Sequence, residues 1–172
     1  MSTQQFQGPV EMLGLLDLKG NSDGIGGVRR RVEAVTNAAA VTRTLKKDES
    51  GMLFTITATT VDNNIAFTLP TASESAGVYY DFCFLANADD NADVSWSTGA
   101  NGTDIYGGII TGAANSTVDD FDGLSKITYD ASVGQSVEGM RLTFLCDGTN
   151  WHLSGYNPTA IGTVILVEAA GA

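Results

Sequence analysis

Residues 140–155, MRLTFLCDGTNWHLSG, decide the fold. Met140, Leu142, Phe144 and Cys146 alternate with Arg141, Thr143 and Leu145, which is the two-residue period of a β-strand. Asp147, Gly148, Thr149 and Asn150 follow as a tight turn. An aspartate there caps its own backbone, and a glycine accepts the positive φ that a hairpin demands. Trp151, Leu153 and Gly155 then resume the alternation, so the stretch predicts a β-hairpin.

The same period runs upstream. Phe54, Ile56 and Ala58 alternate with Thr55, Thr57 and Thr59, and Ile65, Phe67 and Leu69 alternate with Ala66 and Thr68 until Pro70 stops the run. Tyr80, Phe82 and Phe84 face one way, while Tyr79, Asp81, Cys83 and Leu85 face the other. Apolar residues on both sides predict a strand buried on both faces. Further short strands are expected around Val94 and Trp96, Ile105 to Ile110, Lys126 to Tyr129 and Val164 to Val167. Residues 38–45 also read as a strand, because β-branched residues dominate there. A helical stripe through Val28, Val32, Val35 and Ala39 competes just before it. Turns about every 8–12 residues predict an all-β fold, a β-sandwich or jelly-roll-like domain.

Composition agrees. The chain has 172 residues, enough for one real core. Only 17 % of them are charged, and 20 are glycine, which suits short strands and tight turns better than long solvated helices. The net charge of −11 is unevenly spread. Met1 to Lys47 holds seven basic and four acidic residues, a net of +3. Asp48 to Ala172 holds two basic and sixteen acidic residues, a net of −14. Such a body repels nucleic acid and anionic membranes, so neither is an expected partner. No apolar run is long enough to span a bilayer, and no signal peptide is visible, so synthesis in the cytoplasm is expected. Cys83 and Cys146 sit in strand-like stretches and are expected to be buried, reduced thiols.

Residues 1–37 differ from the rest and are read as an extended N-terminal arm, with the β domain over residues 38–172. Met12, Leu13, Leu15 and Leu16 form an apolar cluster too short to bury itself. The glycine-rich run at 20–27 is a breaker. Arg29, Arg30 and Arg31 follow it, and are expected to pair with an acidic partner surface, such as the body of a neighbouring copy, rather than with nucleic acid. These seven side chains are the expected partner-binding residues.

No catalytic or metal-binding residue is assigned. His152 is the only histidine, no G-x-S-x-G elbow is present, and a lone histidine does not make a triad. Two distant cysteines and one histidine give no zinc spacing. The loop at 87–93 (NADDNAD) lacks the spacing, glycine and closing glutamate of an EF-hand. It is read, like Val118 to Gly123, as solvated rather than Ca²⁺-binding. No cofactor is expected.

Several phrases, in order, resemble those of virion β domains of tailed bacteriophages. They are residues 45–56 (LKKDESGMLFTI), 65–70 (IAFTLP), 77–84 (GVYYDFCF) and 142–155 (LTFLCDGTNWHLSG). Together they resemble head decoration, or cement, proteins and related tail-fibre modules, particularly of cyanophages. The resemblance implies a homotrimer, a virion location on the capsid surface, the major capsid protein as partner, and no enzymatic activity. Its alternative is a tail-fibre or receptor-binding module recognising a host surface glycan, with Trp96, Tyr106 and Trp151 as stacking platforms. Burial is nevertheless the expectation for both tryptophans.

Overall fold

The computed structural model describes residues 30–88, 91–99, 104–111, 118–129, 137–158 and 165–168. The twelve strands are β1 (Val32–Thr36), β2 (Val41–Thr44), β3 (Leu53–Thr57), β4 (Ile65–Thr68), β5 (Tyr79–Phe84), β6 (Val94–Ser97), β7 (Ile105–Thr111), β8 (Val118–Leu124), β9 (Lys126–Tyr129), β10 (Arg141–Cys146), β11 (Trp151–Asn157) and β12 (Ile165–Glu168). They form a seven-stranded sheet in the order β1-β3-β5-β10-β11-β7-β8 and a five-stranded sheet in the order β12-β9-β6-β4-β2. The all-β, sandwich-like architecture expected from the alternation is what forms. The first sheet takes in β1, whose residues the sequence reading grouped with the arm.

The first six strands alternate between the sheets. Odd strands stack in parallel in one and even strands in the other, so the chain winds three turns of a flattened coil. The turns are unequal: Val32 pairs with Leu53, 21 positions on, and Leu53 pairs with Asp81, 28 positions on. This inequality is why the stacking leaves no repeat in the sequence. The hairpin of β10 and β11 inserts between β5 and β7, antiparallel to the former and parallel to the latter.

Alternation explains the core. Phe54, Ile56, Tyr80, Phe82, Phe84, Leu142 and Phe144 point inward from the first sheet, and Ile65, Phe67, Val94, Trp96 and Ile127 from the second. Phe82 is central. Its ring lies 5.2 Å from Phe54, 5.0 Å from Phe67, 5.4 Å from Trp96 and 5.7 Å from Phe144, so it locks two layers together. Burying each such ring contributes about 1.5–3 kcal/mol. The polar ends of two other core aromatics are satisfied: Trp151 Nε1 donates to Pro70 O at 3.1 Å, and the Tyr80 hydroxyl donates to Lys46 O at 2.8 Å. Burial also raises the Tyr80 hydroxyl pKa well above the phenolic range, so it remains a donor.

At the open end of the coil Arg43 takes an inward position on β2. It pairs with Glu33 of β1 and with Glu49 (2.6 Å), and its guanidinium sits 4.9 Å from the Phe54 ring centre. One side chain thus ties the first strand of each sheet together.

Two local features depend on glycine. Gly148 has φ +96° in the β10–β11 turn. Gly107 sits at a register shift between β7 and β8, where a Cβ would lie 1.9 Å from Leu153 O. Only glycine lets β7 approach β11 there.

Candidate docking face

The outward side of the seven-stranded sheet departs from expectation. The apolar residues on both sides of β5 predict burial on both faces, but only its inward face is buried: Tyr79 and, just after the strand, Leu85 are exposed, and Asp81 and Cys83 are half-buried. Alternation shows that a residue is apolar, not what covers it. Leu145 and Ile110 on β10 and β7, Tyr156 on β11 and Val32 on β1 share this outward side. Of the seven large apolar residues exposed among the described residues, only Val61, in a turn, lies elsewhere.

Cross-strand register orders these side chains. One row runs Tyr79, Leu145, His152, Tyr106. The next runs Val32, Leu53, Asp81, Thr143, Ser154, Gly108, and a third runs Ala34, Thr55, Cys83, Arg141, Tyr156, Ile110. Asp81 and Arg141 are the charges within these rows, and Gly108 pairs onward with Asp120 of β8. A depression of about 230 Å³ lies between Arg30, Leu53, Asp81, Arg141 and Thr143. Its modest size fits a side-chain recess on a broad contact surface better than a substrate cleft, which typically spans about 300–1,000 Å³.

Arg30 organises the centre of the face. Its guanidinium pairs with Asp81, donates to Gly51 O and to Met52 O, and lies 5.8 Å from the Tyr79 ring centre. Asp81 in turn accepts from the Thr143 hydroxyl. Arg30 therefore bonds within its own sheet rather than with the partner surface expected for it. Arg31 is exposed at the start of β1. Met12, Leu13, Leu15, Leu16 and Arg29 lie outside the described residues.

At the rim, the hairpin turn is held by Asp147. Its Oδ1 accepts from the N–H groups of Thr149 (2.6 Å) and Asn150 (2.7 Å), and its Oδ2 lies 2.8 Å from His152 Nε2. The Asn150 N–H, then the His152 ring and the Thr149 N–H, hold this carboxyl far below the usual carboxylate range. The pair is exposed on the tip of a turn rather than set in a cleft.

The remaining candidates resolve simply. Trp96 and Trp151 are buried, as expected, so two of the three stacking platforms are core residues. Cys146 is buried and Cys83 half-buried, both as free thiols. Among the described residues no cluster of three or more His, Cys, Asp or Glu side chains could hold a metal ion, and no helix is long and apolar enough to cross a membrane.

No family model matches the chain, and no curated protein matches it.

Proposed function

We propose that the protein is a structural, non-enzymatic component of a phage particle that decorates and stabilises the capsid, docking on capsid subunits through the outward face of the seven-stranded sheet. The observation that carries the docking is the gathering of exposed Val32, Tyr79, Leu85, Ile110, Leu145 and Tyr156 on one face. Tyr79 lies opposite Leu145 and Tyr156 opposite Ile110 across the strands, and exposed apolar side chains gathered in this way mark a protein-binding site. The charges at the centre of the face are Arg30, which is paired with Asp81, and Arg141. That it is a capsid rests on the ordered sequence phrases that resemble head decoration proteins. In this reading the leucines and methionine of residues 12–16 add apolar contacts to neighbouring subunits. Several weak contacts on a symmetric shell then act together.

The glycan-binding alternative has less support, because only Tyr106 of its three proposed platforms is outside the core.

The test is to incubate the purified chain with undecorated heads and image them. The wild type is expected to occupy the shell, and a Leu145→Glu, Tyr156→Glu variant that still folds is expected to lose occupancy at least tenfold. Equal occupancy by that variant removes the face from the proposal. Failure of the wild type to bind any capsid, together with binding to a glycan array, overturns the capsid reading.

A further inference from the structure

The two ends of the seven-stranded sheet differ in charge and match in backbone direction. Among the described residues β1 ends the sheet on one side and β8 on the other. Leu53 N–H donates to Arg31 O at 3.0 Å, so Arg31, Glu33 and Val35 turn their backbone groups toward β3. In a strand the alternate residues turn the other way, which leaves the N–H and C=O groups of Val32, Ala34 and Thr36 along the open edge. That edge carries no proline, and its outward side chains are small or β-branched. Its inward charge, Glu33, is already paired with Arg43. Among the described residues no proline and no bulge interrupts this edge, and no charged side chain lies on its outward side.

Charge separates the ends. Residues 30–52, the first turn of the coil, hold five basic residues and three acidic, a net of +2; Arg30, Arg43 and Lys47 pair within the chain, and Arg31 at the start of β1 is exposed. β8 has the sequence VDDFDGL, with three aspartates and no basic residue. The opposite edge of the companion sheet, β12, ends in Glu168. The direction of each strand follows from the pairings: β1, β3 and β5 run one way, β10 opposite, β11 and β7 with β5, and β8 opposite again. A neighbour placed head-to-tail beside β8 therefore presents its β1 antiparallel to it, the stronger of the two pairings.

We propose that the partner of these edges is a second copy of this chain, its β1 joining β8 of the first as an antiparallel pair that continues the seven-stranded sheet from one copy into the next. The backbone groups of Val32, Ala34 and Thr36 supply the ladder, and Arg31 at the start of β1 meets the acidic β8. An interface between two different surfaces closes into a ring when the rotation between copies permits. It leaves the outward face free, so the inference stands apart from the capsid reading.

Sedimentation velocity of the full chain tests it. The wild type is expected to self-associate, and to do so roughly tenfold more weakly when ionic strength rises from about 0.05 to about 0.5 M. Ala34→Pro removes an N–H from the open edge without touching the ladder to β3, and Asp119→Lys with Asp120→Lys reverses the charge of β8. Each is expected to sediment as an 18.0 kDa monomer with unchanged circular dichroism. Mixed, they are expected to form a one-to-one pair, since one keeps an intact β8 and the other an intact β1. If Ala34→Pro does not fold, Arg31→Glu weakens the same side with the strand intact. A monomeric wild type, a mixture that stays monomeric, or loss of association in the β1 variant alone overturns the proposal. Head binding plays no part in the measurement, so its outcome and that of the capsid test are separable.

Discussion

Asp81, at the centre of β5, receives the guanidinium of Arg30 from the strand-start two positions away in the sheet, across the backbone of β3. The same guanidinium also donates to the carbonyls of Gly51 and Met52. The start of β1 is therefore fixed by three acceptors, two carbonyls just before β3 and a carboxylate on β5. The side chains are 39 % and 19 % exposed, so solvent screens the pair, and its worth is that of a surface ion pair with added backbone bonds. Arg30→Ala is expected to cost about 1 kcal/mol in a urea titration, with the slope unchanged.

Phe82 touches rings from both sheets, so its removal opens a hole that neither layer can fill alone. Phe82→Ala is expected to cost about 3–5 kcal/mol in the same titration. Phe82→Leu, which keeps most of the volume, is expected to cost clearly less.

Gly107 has no room for a Cβ against the Leu153 carbonyl. Gly107→Ala must push β7 from β11 and is expected to destabilise by more than the roughly 1 kcal/mol of an ordinary glycine effect. Gly77, whose added Cβ meets nothing within 4 Å, serves as the control, because both residues have positive φ. Equal losses at the two positions would refute the close-approach explanation.

The Asp147 carboxyl is lowered in the folded state, so the stability it lends is present above its unfolded value of about 3.9 and is lost as pH falls through that value toward the folded one. Asp147→Asn keeps the turn geometry and removes the charge. Melting temperatures of the two proteins are expected to differ at neutral pH and to converge as the buffer is taken from about pH 4 to about pH 2. A constant gap across that window would show that the charge contributes nothing.

Much of the strand content was legible because apolar residues at every second position survive any detail of topology. Phe54 and Ile56, Ile65 and Phe67, and Leu142 and Phe144 all face the core as read, and the Asp147 turn closes where expected. Pairing direction was not legible. Parallel stacking of β1, β3 and β5 depends on the loops between them, and these differ in length. The docking face was half-legible: Tyr79, Leu85 and Leu145 stand out as apolar residues on the side opposite the core. Sequence cannot tell cover by a second layer of the same chain from exposure to another molecule. Arg30 carried no distinguishing signal within the run Arg29 to Arg31, since its role depends on where β5 places Asp81.

The position of the β10–β11 hairpin fixes the order in which this protein can be finished. The hairpin follows β5, β7 and β8 in the chain, yet it occupies the middle of their sheet and separates the early coil from β7 and β8. Until it arrives, β5 and β7 each present a bare ladder to the surroundings. A truncated polypeptide ending before Met140 therefore carries two adhesive seams, and a single wedge of sixteen residues (140–155) joins them into one continuous, cooperative sheet.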